Sequence, residues 1–291
     1  MFHGSMVALV TPMTAGSDVD MEALERLIEF HVENGTDALV PAGTTGESAT
    51  LMTPEHINYL RAVVKLVRGR LPVIAGTGSN STAQTLHLTR EVAKIGVDAC
   101  LLVVPYYNKP PQEGLYQHFH TIANAVDIPL VLYNVPSRTA CDLLPETVER
   151  LARVVNIVGI KEATGDIGRV RELRTRCGEE FELYSGDDAT AMEFVLAGGD
   201  GVVSVTANVA PRLMHEMIAA ARAGERERAE ELDAKLRPLH RALFTETNPI
   251  PAKWALAEMG LIGSGIRLPL VPLSGSHQPA VRAALTAAGC V

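Results

Sequence analysis

No stretch of this sequence approaches the roughly 18 consecutive apolar residues of a membrane span. The start, Met1-Phe2-His3-Gly4-Ser5, lacks the basic region and apolar core of a secretory signal. Positive charge is scarce as well: 26 Lys and Arg stand against 34 Asp and Glu, for a net charge of −8, and the basic residues form no stripe. Nucleic acid and anionic membrane are therefore poor matches as partners. The four cysteines, Cys100, Cys141, Cys177 and Cys290, include no C-x-x-C pair and read as reduced thiols of a cytoplasmic protein. Histidines are not grouped for a metal. His118 and His120 fall in a helical stretch, where i and i+2 do not share a face, and the others lack ligand spacing. Asp187-Asp188 reads as a cap for a helix over 189–196 rather than a metal ligand pair. No metal site is expected.

What the sequence does contain is a repeated pattern: a short β-rich run, a polar loop, then an amphipathic stretch. The runs cover 6–10, 38–42, 73–75, 100–104, 130–133, 157–161, 182–185 and 201–205. That alternation is the signature of βαβ units and a parallel sheet. Eight units within about 225 residues point to an α/β fold of the closed (β/α)8 TIM-barrel type, with an open doubly wound sheet as the alternative. Thr53 reads as a hydroxyl cap before Pro54, and Pro145 and Pro211 open further helices. Gly35, Gly69, Gly96 and Gly178 fall near helix ends. Beyond Gly224 the rhythm changes to helical stretches over 225–244, 251–259 and 279–288, with no strand between them. The expected domains are a catalytic barrel over 1–224 and a small helical C-terminal domain over 225–291.

Lys161 carries the most chemical information. It closes Ile157-Val158-Gly159-Ile160-Lys161, an apolar run that reads as a buried strand. A primary amine is costly to bury charged, and burial favours its neutral, nucleophilic form. The competing reading is a lysine that emerges into solvent where the strand ends. In a barrel of this kind, reactive groups sit at the C-terminal strand ends, and the unusual residues of this chain collect there. Gly43-Thr44-Thr45-Gly46-Glu47-Ser48 follows the second run and Tyr106-Tyr107-Asn108 the fourth. Tyr133-Asn134-Val135-Pro136-Ser137-Arg138-Thr139 closes the fifth, Ser185-Gly186-Asp187-Asp188 the seventh, and Ser204-Val205-Thr206 the eighth.

Strand parity puts Ile157, Gly159 and Lys161 on one face and Val158 and Ile160 on the other. Gly159 beneath Lys161 then leaves room for the amine and an adduct. Val131 and Tyr133 share a face too, so amine and phenol meet if both faces point inward. A neutral lysine that attacks a carbonyl gives a Schiff base, an electron sink that acidifies the neighbouring carbon. The chemistry needs a proton carrier, and Tyr133 can donate and accept. Core packing with a bonded hydroxyl is the alternative for any one tyrosine. Thr44, Thr45 and nearby N–H groups suit a small carboxylate; an ordinary turn is the alternative. Arg138 suits a second carboxylate in bidentate fashion, or is a surface arginine.

Taken together, the stretches 43–48, 105–108, 133–139, 159–162 and 185–188 resemble the dihydrodipicolinate synthase family, within the pyruvate-dependent, N-acetylneuraminate-lyase-like class I aldolases. The resemblance covers essentially the whole chain. It implies a lyase that joins pyruvate to L-aspartate-4-semialdehyde, giving 4-hydroxy-tetrahydrodipicolinate for diaminopimelate and lysine biosynthesis. Lys161 is then the Schiff-base lysine, and no metal or organic cofactor is needed. Tyr133, Thr44 and Tyr107 form a proton relay, with Tyr107 supplied by a neighbouring subunit. Thr45, Gly186 and the backbone at Val203 hold the pyruvate end, and Arg138 holds the carboxylate of the semialdehyde. A cytoplasmic homotetramer, built as a dimer of dimers, is implied as well.

The resemblance also implies an inhibitory L-lysine site at Ser48, Ala49, His56, Asn80, Gln84 and Tyr106. Here the chain departs from the pattern. Gln84 stands where glutamate is common, and Thr53 where histidine is. Without that negative charge, weak or absent inhibition by lysine is expected. A sister aldolase acting on a sugar acid, a non-catalytic barrel that senses carboxylates, and a metal-dependent aldolase are the other readings.

Overall fold

The computed structural model describes all 291 residues. Short runs rich in Val, Leu, Ile and Ala form eight strands: β1 (Gly4–Ala8), β2 (Ala38–Val40), β3 (Ile74–Gly76), β4 (Ala99–Val103), β5 (Leu130–Asn134), β6 (Ile157–Glu162), β7 (Glu182–Ser185) and β8 (Gly201–Ser204). They pair in parallel in the order β2-β1-β8-β7-β6-β5-β4-β3. A parallel bridge between Leu39 and Val73 joins the two ends of that order. Nearby, the Gly76 N–H donates to the Pro41 carbonyl at 2.9 Å. The sheet thus closes into a (β/α)8 barrel, and the open-sheet alternative falls.

Side-chain alternation divides each strand between two apolar layers. Met6, Ala8, Val40, Ile74, Leu101, Val131, Tyr133, Tyr184 and Val203 fill the barrel interior. Val7, Leu39, Cys100, Leu102, Leu132, Ile160, Leu183 and Val202 face outward and pack beneath the surrounding helices. Each such large side chain contributes about 1.5–3 kcal/mol by leaving water.

The helices are α1 (Met21–Glu33), α2 (Thr53–Val67), α3 (Thr82–Ala93), α4 (Gln112–Ala123), the single turn α5 (Pro136–Thr139), α6 (Pro145–Leu151), α7 (Ile167–Cys177), α8 (Ala191–Leu196) and α9 (Pro211–Arg222). After them come α10 (Arg226–Ala242), α11 (Ile250–Glu258) and α12 (Gln278–Ala287), with no strand between. Leu236, Leu239, Leu256, Val281 and Leu285 of these last helices join the same apolar core as the outer barrel layer.

Three local readings are corrected. Thr53 does not cap α2: Met52 takes that place, and Thr53 lies inside the first turn without a capping hydrogen bond. Pro54 has no N–H to donate, and the second helical position needs none, so the helix begins one residue earlier. Asp187 and Asp188 do not act together as a cap. Asp187 accepts from the Thr190 N–H at 3.1 Å, closing a short turn ahead of α8. Asp188 instead reaches the end of β8, accepting from the Val205 and Thr206 N–H groups at 2.9 Å each.

The third correction concerns β6. The register between β5 and β6 slips between Leu130 and Val131, pairing Leu130 with Ile157 but Val131 with Gly159. One extra residue in β6 breaks strict alternation. Ile157 therefore packs in the outer layer with Ile160, while Val158 touches the interior cluster. Nor does Gly159 hollow out space for the amine. A Cβ there would lie 2.5 Å from the Glu182 carbonyl oxygen and 2.7 Å from the Glu182 Cβ, so this glycine lets β6 and β7 approach.

Candidate active site

Beyond the slip, parity holds where the chemistry requires it. Tyr133, Lys161 and Tyr184 are register partners across β5, β6 and β7, in one row near the C-terminal end of the barrel. Lys161 is 6 % exposed, and its Nζ lies 4.2 Å from the centroid of the Tyr133 ring. The reading in which this lysine simply emerges into solvent is set aside by its burial. Gly186 supplies the room that Gly159 does not. A Cβ at Gly186 would come within 2.9 Å of the Lys161 Cε and 2.6 Å of the Ala163 Cβ. Any other residue there would crowd the lysine stem.

The two interior tyrosines differ in what their hydroxyls do. The Tyr184 phenol donates to the Phe2 carbonyl at 3.1 Å, and burial pushes its pKa up. Its proton is committed to the barrel core. Tyr133, 6 % exposed, lies beside the amine. Behind Lys161, alternation turns Glu162 out of the barrel. Its carboxylate accepts from the Asn134 amide at 3.0 Å and the Thr164 N–H at 2.8 Å. Burial raises its pKa above the usual carboxylate range, and these hydrogen bonds pull the other way.

The loop after β2 forms the opposite wall. The backbone N–H groups of Thr44, Thr45 and Gly46 are taken by no backbone carbonyl of the chain. Consecutive free N–H groups make a concavity that suits an anion. Thr45 is buried, and its Oγ1 accepts from the side-chain amide of Asn248 at 2.9 Å. The Asn248 carbonyl in turn accepts from Nη2 of Arg138 at 3.3 Å. Arg138 sits on the single turn α5, where Pro136 occupies the first helical position. Val203 faces the interior from β8.

A buried ion pair holds the same loop. Glu47 has left-handed backbone, φ 56°, which non-glycine residues adopt rarely. Its carboxylate accepts from Lys253 Nζ at 2.5 Å and from the Arg267 N–H at 3.1 Å. Both side chains of the pair are almost wholly buried. Burial pushes the Lys253 ammonium down while Glu47 pulls it back up. The Arg267 guanidinium continues the network to both carboxylate oxygens of Glu55 at 2.9 Å. Sequence reasoning missed Asn248, Lys253 and Glu47 as functional supports. One signal was available for Lys253: it is the only cation of α11, whose other residues up to Ala257 are apolar.

A cavity of 410 Å³ opens beside these groups, and Thr44, Val103, Val135 and Arg138 stand in its wall. Neither Lys161 nor Tyr133 does, although Val103 is the register partner of Tyr133. The cavity therefore neighbours the amine rather than enclosing it. Of the residues assigned to an inhibitor site, Ser48, Ala49, His56, Gln84 and Tyr106 line it. Asn80 does not; its carbonyl accepts from the Asn108 amide at 2.9 Å. His56 is buried, with Nε2 at 2.9 Å from the Gly76 carbonyl. Burial lowers its pKa.

Tyr107 is not brought to Lys161 within the chain. It is 89 % exposed, on a loop with left-handed backbone at φ 76°. No helix is long and apolar enough to cross a membrane.

Residues 1–288 match the family model described as the dihydrodipicolinate synthetase family. A 4-hydroxy-tetrahydrodipicolinate synthase of Alcanivorax borkumensis is 64% identical over 289 residues, covering 99% of this chain and 98% of the relative. Among solved structures, the chloride-inhibited dihydrodipicolinate synthase of Acinetobacter baumannii, complexed with pyruvate, superposes with a TM-score of 0.99. It is 51% identical, and the match covers 100% of both chains. A monomeric variant of dihydrodipicolinate synthase superposes with a TM-score of 0.97 at 44% identity, over 100% of this chain and 98% of the other.

Proposed function

Because the chain belongs to the dihydrodipicolinate synthetase family, we propose that Lys161 and its neighbours carry out the 4-hydroxy-tetrahydrodipicolinate synthase reaction of its relatives. The enzyme condenses pyruvate with L-aspartate-4-semialdehyde. One observation carries the assignment of the nucleophile: a buried amine 4.2 Å from the ring of a phenol-bearing neighbour on the next strand. The free N–H groups at Thr44 to Gly46 support a carboxylate opposite it.

The neutral Lys161 amine attacks the ketone carbon of pyruvate, and the adduct takes up a proton and loses water, giving an iminium. Loss of a methyl proton gives the enamine, whose carbon attacks the aldehyde of the second substrate, and the aldehyde oxygen takes up a proton. The amine of the joined semialdehyde then displaces Lys161 and closes the ring. Tyr133, with Thr44, moves the protons in these steps. Thr45, Gly186 and the Val203 backbone hold the pyruvate end, and Arg138 binds the carboxylate of the semialdehyde. The iminium formed on Lys161 is the electron sink, so the scheme calls on no metal or organic cofactor.

Tyr107 completes the relay from a neighbouring subunit. Its outward presentation on strained backbone supports that role. A homotetramer built as a dimer of dimers is the matching assembly, and a native mass of four chains is the expected result. Four unpaired cysteines support a cytoplasmic setting. The test is to supply both substrates and follow ring formation. Product from pyruvate and the semialdehyde is expected; cleavage of a sugar acid with no such product would favour the sister aldolase.

A further inference from the structure

We propose that Asn248 is a positioning residue that sets the Thr45 hydroxyl as a donor toward the pyruvate carboxylate, a role that rests on the assignment of Thr45 to pyruvate. A threonine hydroxyl has one proton and can turn it either way. Here the Asn248 Nδ2 occupies the oxygen of Thr45 as a donor at 2.9 Å. Two hydrogens cannot share one hydrogen bond, so the Thr45 proton must point elsewhere. The backbone N–H of Thr45 is also taken by no backbone carbonyl. Both polar hydrogens of Thr45 are thereby left for an anion.

A second observation marks Asn248. Its Oδ1 is buried and has no hydrogen-bond partner. An unpaired buried acceptor is costly, and removing the amide would relieve that cost. The amide is kept with its donor end on Thr45, as a device for orienting that hydroxyl would require. Its backbone carbonyl, by contrast, serves Arg138. Side-chain substitution should therefore separate the two substrates: pyruvate is affected through the amide, while Arg138, assigned to the semialdehyde, keeps its contact with the backbone carbonyl.

The experiment traps the pyruvate adduct with borohydride in the full chain over a range of pyruvate concentrations. It compares wild type, Asn248→Asp, Asn248→Ala, Thr45→Val, Thr45→Ser and the double variants. Asn248→Asp presents an acceptor in place of a donor and draws the Thr45 proton away from the ligand. The half-saturating pyruvate concentration should rise about tenfold or more, the scale of one hydrogen bond to a charged group. Asn248→Ala should raise it less. The Asn248→Ala effect should vanish in the Thr45→Val background and persist with Thr45→Ser, and its KM for the semialdehyde should stay near wild type. An unchanged half-saturation in Asn248→Asp overturns the proposal. So does an Asn248→Ala shift that survives in Thr45→Val or moves both KM values equally, since that marks general loosening. If Asn248→Asp does not fold, the Asn248→Ala pair carries the same comparison. Absence of any adduct in wild type would contradict the Schiff-base assignment itself, an outcome distinct from these.

Discussion

Tyr133 and Lys161 face each other across adjacent strands as register partners, with the amine nitrogen 4.2 Å from the ring centroid. Neither side chain reaches the other through a flexible loop. Both are fixed by the barrel ladder, so amine and phenol share one rigid frame. Rigid placement of reacting groups supplies much of an enzyme's rate advantage.

The phenol can be removed without disturbing that frame. Tyr133→Phe keeps the ring that packs inside the barrel and deletes only the hydroxyl. Turnover should fall by about a hundredfold or more, the scale of one proton-transfer group. The unfolding midpoint should stay close to wild type. Steady-state kinetics beside a thermal melt check this; near-normal turnover would remove Tyr133 from the relay.

The buried pair Glu47–Lys253 makes a prediction about stability. Lys253→Met leaves the Glu47 carboxylate buried with only the Arg267 N–H as a partner. Breaking such a pair from one side costs about 3–5 kcal/mol, whereas replacing both partners with uncharged groups costs much less. Denaturant unfolding should therefore rank Lys253→Met below the double variant with Glu47→Gln. The reverse order would mean that the pair is not what fastens the loop after β2 to α11.

These two predictions draw on parts of the molecule that differ in how legible they were from sequence. The eight strands were readable because each is a short β-rich run ahead of a polar loop, and Lys161 stood out because a cation closes one of them. Tyr133 followed from alternation. Val158 did not, because its facing depends on how β6 slips against β5, a relation between strands that neither run encodes alone. Gly186 was readable as a member of a mouth loop, but its contact with the Lys161 stem was not. Asn248 lies 203 residues from Thr45 in sequence and is joined to it only by the fold. The location of Tyr107 on an outward loop likewise emerges only once the loop is built.

Acid should weaken the fold through His31. This side chain is fully buried in α1, its Nδ1 at 2.9 Å from the Thr36 hydroxyl, and burial pushes its pKa down to about 3. In the unfolded chain it titrates near 6.5. Below that pH the unfolded state binds the proton and the folded state does not, so stability is lost as pH falls from about 6.5 toward 3. One such group contributes a slope of about 1.4 kcal/mol per pH unit. His31→Gln should flatten the acid limb by about one proton in unfolding measured at pH 6 and pH 4.5. An unchanged slope would refute this assignment.

Gln84 in the wall of the 410 Å³ cavity predicts regulation by its lack of charge. A lysine ammonium seated there finds a neutral amide where a carboxylate would attract it. Micromolar L-lysine should leave wild-type activity nearly unchanged, and Gln84→Glu should increase sensitivity. Inhibition curves with both proteins decide it; strong inhibition of the wild type would show that other groups in the wall suffice.

Schiff-base formation at Lys161 is read most directly from a peptide-mapped mass spectrum of the protein after incubation with pyruvate and borohydride. One reduced pyruvate adduct per chain is expected, on the peptide that carries Lys161, and none in Lys161→Ala. An adduct on a different lysine, or no adduct at all, would contradict it.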